Sequence, residues 1–228
     1  MSKLYQIAID GPAAAGKSTV AKLTAKKLGA FYVNTGEMYR TIAWACLKEG
    51  IDFLNAPEKV EAALSHWTMT FQNDGNGEIE IIFNGIPVVK TDLRTAEVAM
   101  ASSNVAKIPA VRNWMLQKQR DCRELGTIIM EGRDICTIVL PDATAKFFIT
   151  ATPEERARRR FAQAGEVPAG ATIQSVAAEI AARDKQDENR PIAPLKPAPD
   201  AKIIFTDGIS PEEVANLVIA TFKEKANL

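Results

Sequence analysis

The stretch Gly11-Pro12-Ala13-Ala14-Ala15-Gly16-Lys17-Ser18 decides the fold of this 228-residue chain. It follows an apolar run, Leu4–Ile9, that is typical of a buried strand, and it precedes residues 19–28, whose apolar positions recur at helical spacing. Glycines let backbone N–H groups curl around phosphate oxygens, and a helix start adds partial positive charge there. Strand, loop and helix in this order predict a phosphate-binding loop, or P-loop.

Two side chains give the predicted loop its chemistry. Lys17 is expected to reach the β and γ phosphates of a nucleoside triphosphate, and Ser18 is expected to ligate Mg²⁺. The residues predicted to contact the triphosphate are Gly11, Pro12, Ala13, Ala14, Ala15, Gly16, Lys17, Ser18 and Thr19. The alternative is a chance glycine-rich turn, and the correct flanking strand and helix argue against it.

Charge and cysteine content bound the class of protein. The 28 basic and 28 acidic residues balance, and the basic ones are spread along the chain, which argues against a protein that coats nucleic acid. Cys46, Cys122 and Cys136 form no C-x-x-C pair, so we expect a reducing compartment and no structural zinc. Without an apolar run long enough for a membrane span or a signal peptide, we expect a cytoplasmic protein that binds no membrane.

Apolar runs alternate with helical patterns along most of the chain, which is the signature of stacked βαβ units. The expected fold is α/β: a P-loop doubly wound parallel five-stranded sheet with helices on both faces. The predicted strands are Leu4–Ile9, Phe31–Val33, Thr127–Met130, Ala145–Ile149 and Ile203–Thr206. Each is short, apolar and bounded by polar or glycine-containing segments.

Residues 67–89 break the pattern of the core. Two stretches of alternating polarity flank a turn at residues 73–77, and Asn84-Gly85 offers a second tight turn into residues 86–89. We therefore predict a small inserted antiparallel three-stranded sheet. The alternative for its role is that it adds bulk and takes no part in the chemistry. The whole chain, 1–228, is expected to be a single domain. It would comprise a core (about 1–56, 108–152 and 200–228), an insertion (about 57–107) and a short helical lid with flanking helices (about 153–199).

Polar side chains follow two of the predicted strands. After the second strand, Thr35, Tyr39 and Arg40 lie where open α/β sheets bind ligands, so Arg40 is a candidate clamp for a second phosphate. An ordinary helix start capped by Thr35, with a solvated Arg40, remains the alternative. After the third strand, Glu131-Gly132-Arg133-Asp134 offers an acid that can orient Mg²⁺ through water, a planar phosphate ligand and a pure acceptor. A surface turn of salt bridges is the alternative here.

Two further groups of charges recur at helical spacing. In a helix beginning near Pro153, Arg156, Arg159 and Arg160 share a face and Arg158 points elsewhere, which is consistent with a lid over phosphates or with a solvated basic face. Farther along, Arg183, Asp187 and Arg190 recur on one face before the helix-stopping Pro191.

Together these pieces resemble the bacterial cytidylate kinases, the nucleoside-monophosphate kinases that act on CMP and dCMP. The resemblance covers nearly the whole chain. It rests on Ile9-Asp10-Gly11-Pro12, Gly16-Lys17-Ser18-Thr19, Thr35-Gly36, Tyr39-Arg40, Arg94-Thr95, Glu97-Val98-Ala99, Val111-Arg112, Gly132-Arg133-Asp134-Ile135, Glu155-Arg156-Ala157, Arg183-Asp184, Asn189-Arg190 and Ala193-Pro194-Leu195. The inserted sheet also resembles the enlarged monophosphate-binding region of this family.

The resemblance implies transfer of the γ-phosphoryl group of ATP to CMP or dCMP by a monomer that needs Mg²⁺. It implies CMP contacts by Arg40, Arg133 and Arg190 at the phosphate, by Thr35, Tyr39, Arg183 and Asp187 at the ribose, and by Ser103, Arg112 and Asp134 at the base. The implied catalytic residues are Lys17, Arg133, Arg156, Arg159 and Arg160, and the implied metal ligands are Ser18 and, through water, Glu131. These implied base contacts suit cytosine, because its N4 amino group can donate a hydrogen bond to the carboxylate of Asp134. Uracil would present an oxygen to the same carboxylate.

Two departures and three alternatives accompany the resemblance. Cys136 stands where the family usually has glycine, and residues 162–170 follow no pattern of the family. The alternatives are a P-loop kinase for UMP, dTMP or a non-nucleotide metabolite, a GTP-binding switch, and a non-enzymatic nucleotide sensor. The chain has no guanine-reading Asn-Lys-x-Asp tetrapeptide, which argues against the switch.

Overall fold

The computed structural model describes residues 4–75, 79–162, 167 and 170–228. Its central sheet is parallel and has the strand order β2-β6-β1-β7-β8. The strands are β1 (Gln6–Asp10), β2 (Phe31–Asn34), β6 (Ile128–Gly132), β7 (Ala145–Thr150) and β8 (Lys202–Phe205). All five predicted strands are confirmed. Four of them end one or two residues later than predicted, because Asp10 pairs with Gly132, Asn34 with Glu131 and Thr150 with Phe205 in the parallel ladder.

Helices cover both faces of this sheet, as predicted. They are α1 (Lys17–Leu28), α2 (Thr35–Lys48), α3 (Pro57–Leu64), α4 (Ala96–Val105), α5 (Pro109–Asp121), α6 (Pro153–Phe161), α7 (Ile173–Glu188) and α8 (Pro211–Ala226). Strand β1 shows why two layers form. Ile7 and Ile9 belong to the apolar cluster that contains residues of α1 and α8, whereas Ala8 belongs to the cluster that contains residues of α2 and α5. Alternate side chains of a strand point to opposite faces, so a strand that is apolar throughout needs both layers.

The predicted three-stranded sheet is also present. It consists of β3 (Met69–Asn73), β4 (Ile79–Phe83) and β5 (Ile86–Pro87), all antiparallel. Asn84 and Gly85 have φ values of 49° and 78°, as the tightest hairpin turn requires. The other predicted turn lies partly outside the described residues. Phe83 packs edge-on against Trp67 with 5.5 Å between ring centroids, so the insertion is joined to the main core.

Helix α6 begins at the predicted Pro153 and packs with α7 beside the P-loop. Most of the divergent stretch 162–170 lies outside the described residues. Within the described part of the chain, no helix combines the length and apolar character needed to cross a membrane.

Candidate active site

A cavity of about 680 Å³ opens where the parallel strands end, between the P-loop, α2, the end of β6, α6 and α7. Most of the predicted site residues line it. They are Ala14, Ala15, Gly16, Lys17, Ser18, Thr19, Thr35, Tyr39, Arg40, Ser103, Glu131, Arg133, Asp134, Arg159, Arg160, Arg183, Asp187 and Arg190. Five predicted residues do not line the cavity, namely Gly11, Pro12, Ala13, Arg112 and Arg156. The fold thus collects five separate sequence clusters, the P-loop and four polar clusters, around one cavity.

Lys17 is the buried cation of the P-loop. It is 5% exposed, and its Nζ donates a hydrogen bond to the carbonyl oxygen of Pro12 at 2.7 Å. Burial, together with the positive charge of Arg133, lowers the pKa of Lys17 to about 7, against the opposing effect of nearby carboxylates. A bound polyphosphate would favour the charged form of this side chain.

The first three residues of the P-loop do not line the cavity and instead pack against the protein behind the loop. A Cβ atom on Gly11 would lie 1.9 Å from the carbonyl oxygen of Ile149, so only glycine fits there. The N–H of Ala13 donates to Asp184 Oδ1 at 3.2 Å and faces away from the cavity. The part of the loop that can meet phosphates is therefore residues 14–19.

Ser18 and Glu131 lie together at the edge of the cavity. Ser18 Oγ donates to Glu131 Oε1 at 2.5 Å, and the hydroxyl of Tyr32 donates to the same oxygen at 2.9 Å. A hydroxyl and a carboxylate are hard oxygen ligands, and Mg²⁺ in phosphate-transfer sites takes only one or two protein oxygens beside water and substrate. The described residues hold no group of three or more candidate metal ligands, which agrees with such a site. The pair therefore fits Mg²⁺.

Four arginines line one part of the cavity, which we call the arginine wall: Arg40, Arg133, Arg160 and Arg183. Burial, together with the positive charge of Arg133, lowers the pKa of Arg183 to about 10. Among the described residues, the buried Nε of Arg183 has no hydrogen-bond partner. Because partly buried cations that lie close together repel one another, this wall is suited to an anion.

Asp187 organises part of this wall. Its Oδ2 accepts from Arg133 Nε at 3.0 Å, and its Oδ1 accepts from Arg190 Nη2 at 2.9 Å. Both carboxylate oxygens are thus engaged with arginines. The predicted ribose contact of Asp187 would have to be made in addition to these bonds.

The predicted base-binding residues differ in whether they line the cavity. Asp134 lines the cavity with Ser102 and Ser103, whereas Arg112 lies behind it in a buried ion pair with its carboxylate. The guanidinium carbon of Arg112 lies 5.9 Å from the centroid of the Tyr39 ring. Arg112 therefore orients Asp134 and Tyr39 from outside the cavity.

Asp10 holds the turn that follows Asp134. Its two oxygens accept from the backbone N–H groups of Ile135 at 2.8 Å and Cys136 at 2.7 Å. Burial raises the pKa of Asp10 to about 6, against the effect of these two hydrogen bonds. Cys136 fits between β1 and β7, with Sγ 3.5 Å from the carbonyl oxygens of Ala8 and Phe147, and its backbone has no positive φ. Glycine is therefore not required at this position, and the turn is intact.

The arginines of α6 differ in their contacts, and Arg158 points away from the cavity, as predicted. Arg158 is exposed and pairs with Glu155, whereas Arg159 and Arg160 line the cavity. Arg159 also donates to the carbonyl oxygen of Ala15 at 3.3 Å. Arg156, which was expected to cover the phosphates, does not line the cavity: it is 7% exposed and lies behind the P-loop, bonded to Ala13.

Several residues of the site escaped the sequence reasoning. Tyr32, Ser102 and Asp184 carry no pattern of their own, because their partners lie far along the chain or on another element. Asp10 did carry a signal, since an acid at the end of an apolar strand is an expensive charge to bury.

The sequence comparisons agree with this geometry. The model of the cytidylate kinase family matches residues 7–224. The chain belongs to the cytidylate kinase family. A cytidylate kinase of Streptococcus suis (strain 05ZYH33) is 42% identical over 222 residues, which cover 97% of this chain and 98% of that one. A cytidylate kinase of Clostridioides difficile (strain 630) is 43% identical over 218 residues, 94% of this chain and 96% of that one.

A solved structure of an uncharacterized protein from Eubacterium ventriosum is similar in fold alone. Its TM-score is 0.50 at 13% identity, with 97% of this chain and 99% of that chain covered. Membership of the cytidylate kinase family implies kinase activity and a divalent metal ion.

Proposed function

We propose that this cytidylate kinase transfers the γ-phosphoryl group of ATP to CMP or dCMP and so forms ADP and CDP or dCDP. The observation that carries the proposal is the arrangement of three recognition groups around one cavity. The P-loop, the arginine wall and the carboxylate of Asp134 all line this cavity, and Arg112 is paired with that carboxylate.

The chemistry needs positioning more than acid–base catalysis. A phosphate oxygen of CMP is already an anionic nucleophile, so it can attack the γ phosphorus in line, without a general base or a covalent enzyme intermediate. Arg40, Arg133 and Arg183 hold and orient the acceptor phosphate. Lys17 and Arg160 lie where negative charge develops during transfer and stabilise it.

Ser18, and Glu131 through water, would hold the metal ion, which we propose to be Mg²⁺. A Mg²⁺ ion held there would neutralise negative charge on the phosphates during transfer. We also propose that the chain is a single domain divided into a core, an insertion and a lid, that the protein is a monomer, and that it is located in the cytoplasm. Sedimentation of the purified protein tests the monomer.

Asp134 sets the choice of base. The carboxylate can accept a hydrogen bond from the N4 amino group of cytosine, whereas uracil presents an oxygen at the same place. A buried polar group left unmatched costs about 1–3 kcal/mol, and UMP leaves at least two such groups facing each other. UMP is therefore a far poorer substrate than CMP.

A coupled assay of ADP release with ATP and each of CMP, dCMP, UMP, AMP and dTMP tests the function. We expect CMP and dCMP to give the highest kcat/KM. Comparable values for UMP and CMP would overturn the role given to Asp134. Preferred turnover of UMP or dTMP would favour a different monophosphate kinase, and tight GTP binding without turnover of any acceptor would favour a switch.

Lys17→Ala tests the P-loop. Removal of one preorganised electrostatic group lowers turnover by roughly 10²–10³-fold, so kcat should fall by at least that much. The measurement is kcat at saturating ATP and CMP, with thermal unfolding as a control for folding. Near-normal turnover would show that the loop is not catalytic.

A further inference from the structure

Asp184, in the second half of α7, connects three elements. It is 7% exposed. Its Oδ1 accepts a hydrogen bond from the backbone N–H of Ala13 at 3.2 Å, and its Oδ2 forms an ion pair with Arg156 of α6. The carboxylate does not line the cavity, so the proposed mechanism does not use it directly.

Arg156 completes the hold on the P-loop. Its Nη1 donates to the carbonyl oxygen of Ala13 at 3.2 Å, and its Nε donates to the carbonyl oxygen of Ala151 at 3.2 Å. Both backbone polar groups of Ala13 are therefore bonded to one buried ion pair. That pair comes from the lid helix α6 and from α7, so the loop depends on both helices.

The loop needs such support at this point. Ala14 follows immediately and has φ of 56°, a left-handed conformation that residues with a side chain rarely adopt. Strained backbone of this kind persists only where the surroundings over-determine it. The methyl group of Ala13 packs into a small apolar cluster with residues of α6 and α7, which adds to the two hydrogen bonds.

Helix α7 also forms part of the acceptor side of the cavity. Arg183 and Asp187 lie within one turn of Asp184 and line the cavity. Asp187 is bonded to Arg133 of the arginine wall and to Arg190. A phosphate that orders this wall therefore acts on the same turn of helix that holds the P-loop.

We propose that Asp184 is a positioning residue that couples the two nucleotide sites: CMP bound against α7 raises the affinity of the P-loop for ATP. The inference rests on the proposed function, because it needs both nucleotides in one cavity. Coupling of this kind is reciprocal, so ATP raises the affinity for CMP by the same factor. Coupling factors between sites are typically about 5–150-fold.

Asp184→Asn is the test variant, because it keeps the shape and a carbonyl oxygen for the N–H of Ala13 but removes the charge that pairs with Arg156. Glu188→Gln is the matched control, since it removes one negative charge from an exposed position on the same helix. Calorimetry measures the Kd of a non-hydrolysable ATP analogue with and without saturating CMP. In the wild-type protein and in Glu188→Gln, CMP should lower this Kd at least about fivefold; in Asp184→Asn the ratio should fall to about one.

Two results overturn the coupling while the proposed function stands. One is a wild-type protein that phosphorylates CMP but binds the analogue equally well with and without it. The other is an Asp184→Asn protein that keeps the wild-type ratio. A wild-type protein that does not phosphorylate CMP with ATP shows instead that the proposed function is wrong.

Amide hydrogen exchange of the wild-type protein keeps the inference testable if Asp184→Asn does not fold. Saturating CMP alone should slow exchange across residues 11–18, because it stabilises the helix that holds the loop. Unchanged exchange across that loop, under conditions where CMP is bound, overturns the coupling.

Discussion

At the scale of single residues, Lys17 shows how burial prepares a cation for its ligand. Burial lowers its pKa to about 7, so a large fraction of free protein carries a neutral Lys17 slightly above neutral pH. A bound triphosphate stabilises the charged form, which raises the pKa in the complex. Nucleotide binding and protonation of this lysine are therefore linked.

We predict proton uptake when an ATP analogue binds at pH 8. The uptake should approach about one proton per site there, and it should fall towards zero below about pH 6, where free Lys17 is already protonated. Calorimetric titrations in two buffers of different ionisation enthalpy measure it. Lys17→Ala is the control and should lack this uptake; an equal uptake in the variant would assign the proton to another group.

Gly11 is the second residue on which the site depends. Its φ is 149°, and an added Cβ would lie 1.9 Å from the carbonyl oxygen of Ile149, which belongs to a central strand and cannot move aside. Gly50 has φ of 66° with nothing within 4 Å of an added Cβ. The two glycines therefore separate a steric clash from backbone strain alone.

We predict that Gly50→Ala lowers the free energy of unfolding by about 1–2 kcal/mol, the cost of a left-handed alanine. Gly11→Ala adds a clash and should cost at least about 3 kcal/mol or prevent folding. Urea denaturation of both variants measures the difference. Similar losses for both would mean that β7 yields to the added methyl group.

At the scale of elements, helix α6 separates arginines that lie side by side in the sequence. Arg158 has a side chain that is 74% exposed and paired with Glu155, whereas Arg160 lines the cavity as part of the arginine wall. Burial lowers the pKa of Arg160, and the nearby charges of Arg40 and Arg133 lower it further. Only one of the two can meet the transferring phosphoryl group.

We predict that Arg160→Ala lowers kcat by roughly 10²–10³-fold, as expected for one removed electrostatic group. Arg158→Ala loses only an exposed salt bridge, worth about 0–1 kcal/mol of stability, and should keep kcat within about twofold. Steady-state kinetics at saturating substrates compare the two. Equal losses would point to a general effect of charge on α6 rather than to contact with phosphate.

Elements that depend on local spacing were predictable. The Asn84-Gly85 turn, the start of α6 at Pro153 and the strand before the P-loop each follow from neighbouring residues. The P-loop and the polar clusters likewise named many of the residues that line the cavity. They did not reveal that Arg156 lies behind the P-loop, because helical spacing shows which face a residue shares but not which partner that face meets.

At the scale of the whole molecule, ligand binding should stabilise the fold, because CMP would contact groups from α2, β6 and α7 at once. A ligand at 100 times its Kd adds about 2.7 kcal/mol to the free energy of unfolding. For a chain of this length, that corresponds to a rise in Tm of about 5–10 °C. The arginine wall should provide most of this effect.

We predict that CMP raises Tm by this amount and that cytidine, which lacks the phosphate, raises it far less at the same concentration. UMP should also raise it less, since Asp134 does not match uracil. Scanning calorimetry measures the three shifts. A cytidine shift as large as that of CMP would show that the arginine wall contributes little to binding.

The sequence by itself determined the P-loop, the order of strands and helices, the inserted hairpins and the family, because these depend on residues a few positions apart. Only the tertiary structure decided that Ala13 is held by Asp184, 171 positions away, that Asp10 holds Ile135, 125 positions away, and that Arg156 lies behind the P-loop and bonds Ala13. The physical reason is that a buried charge takes whichever partner the packing of helices on the sheet brings within reach, and local spacing carries no information about that partner.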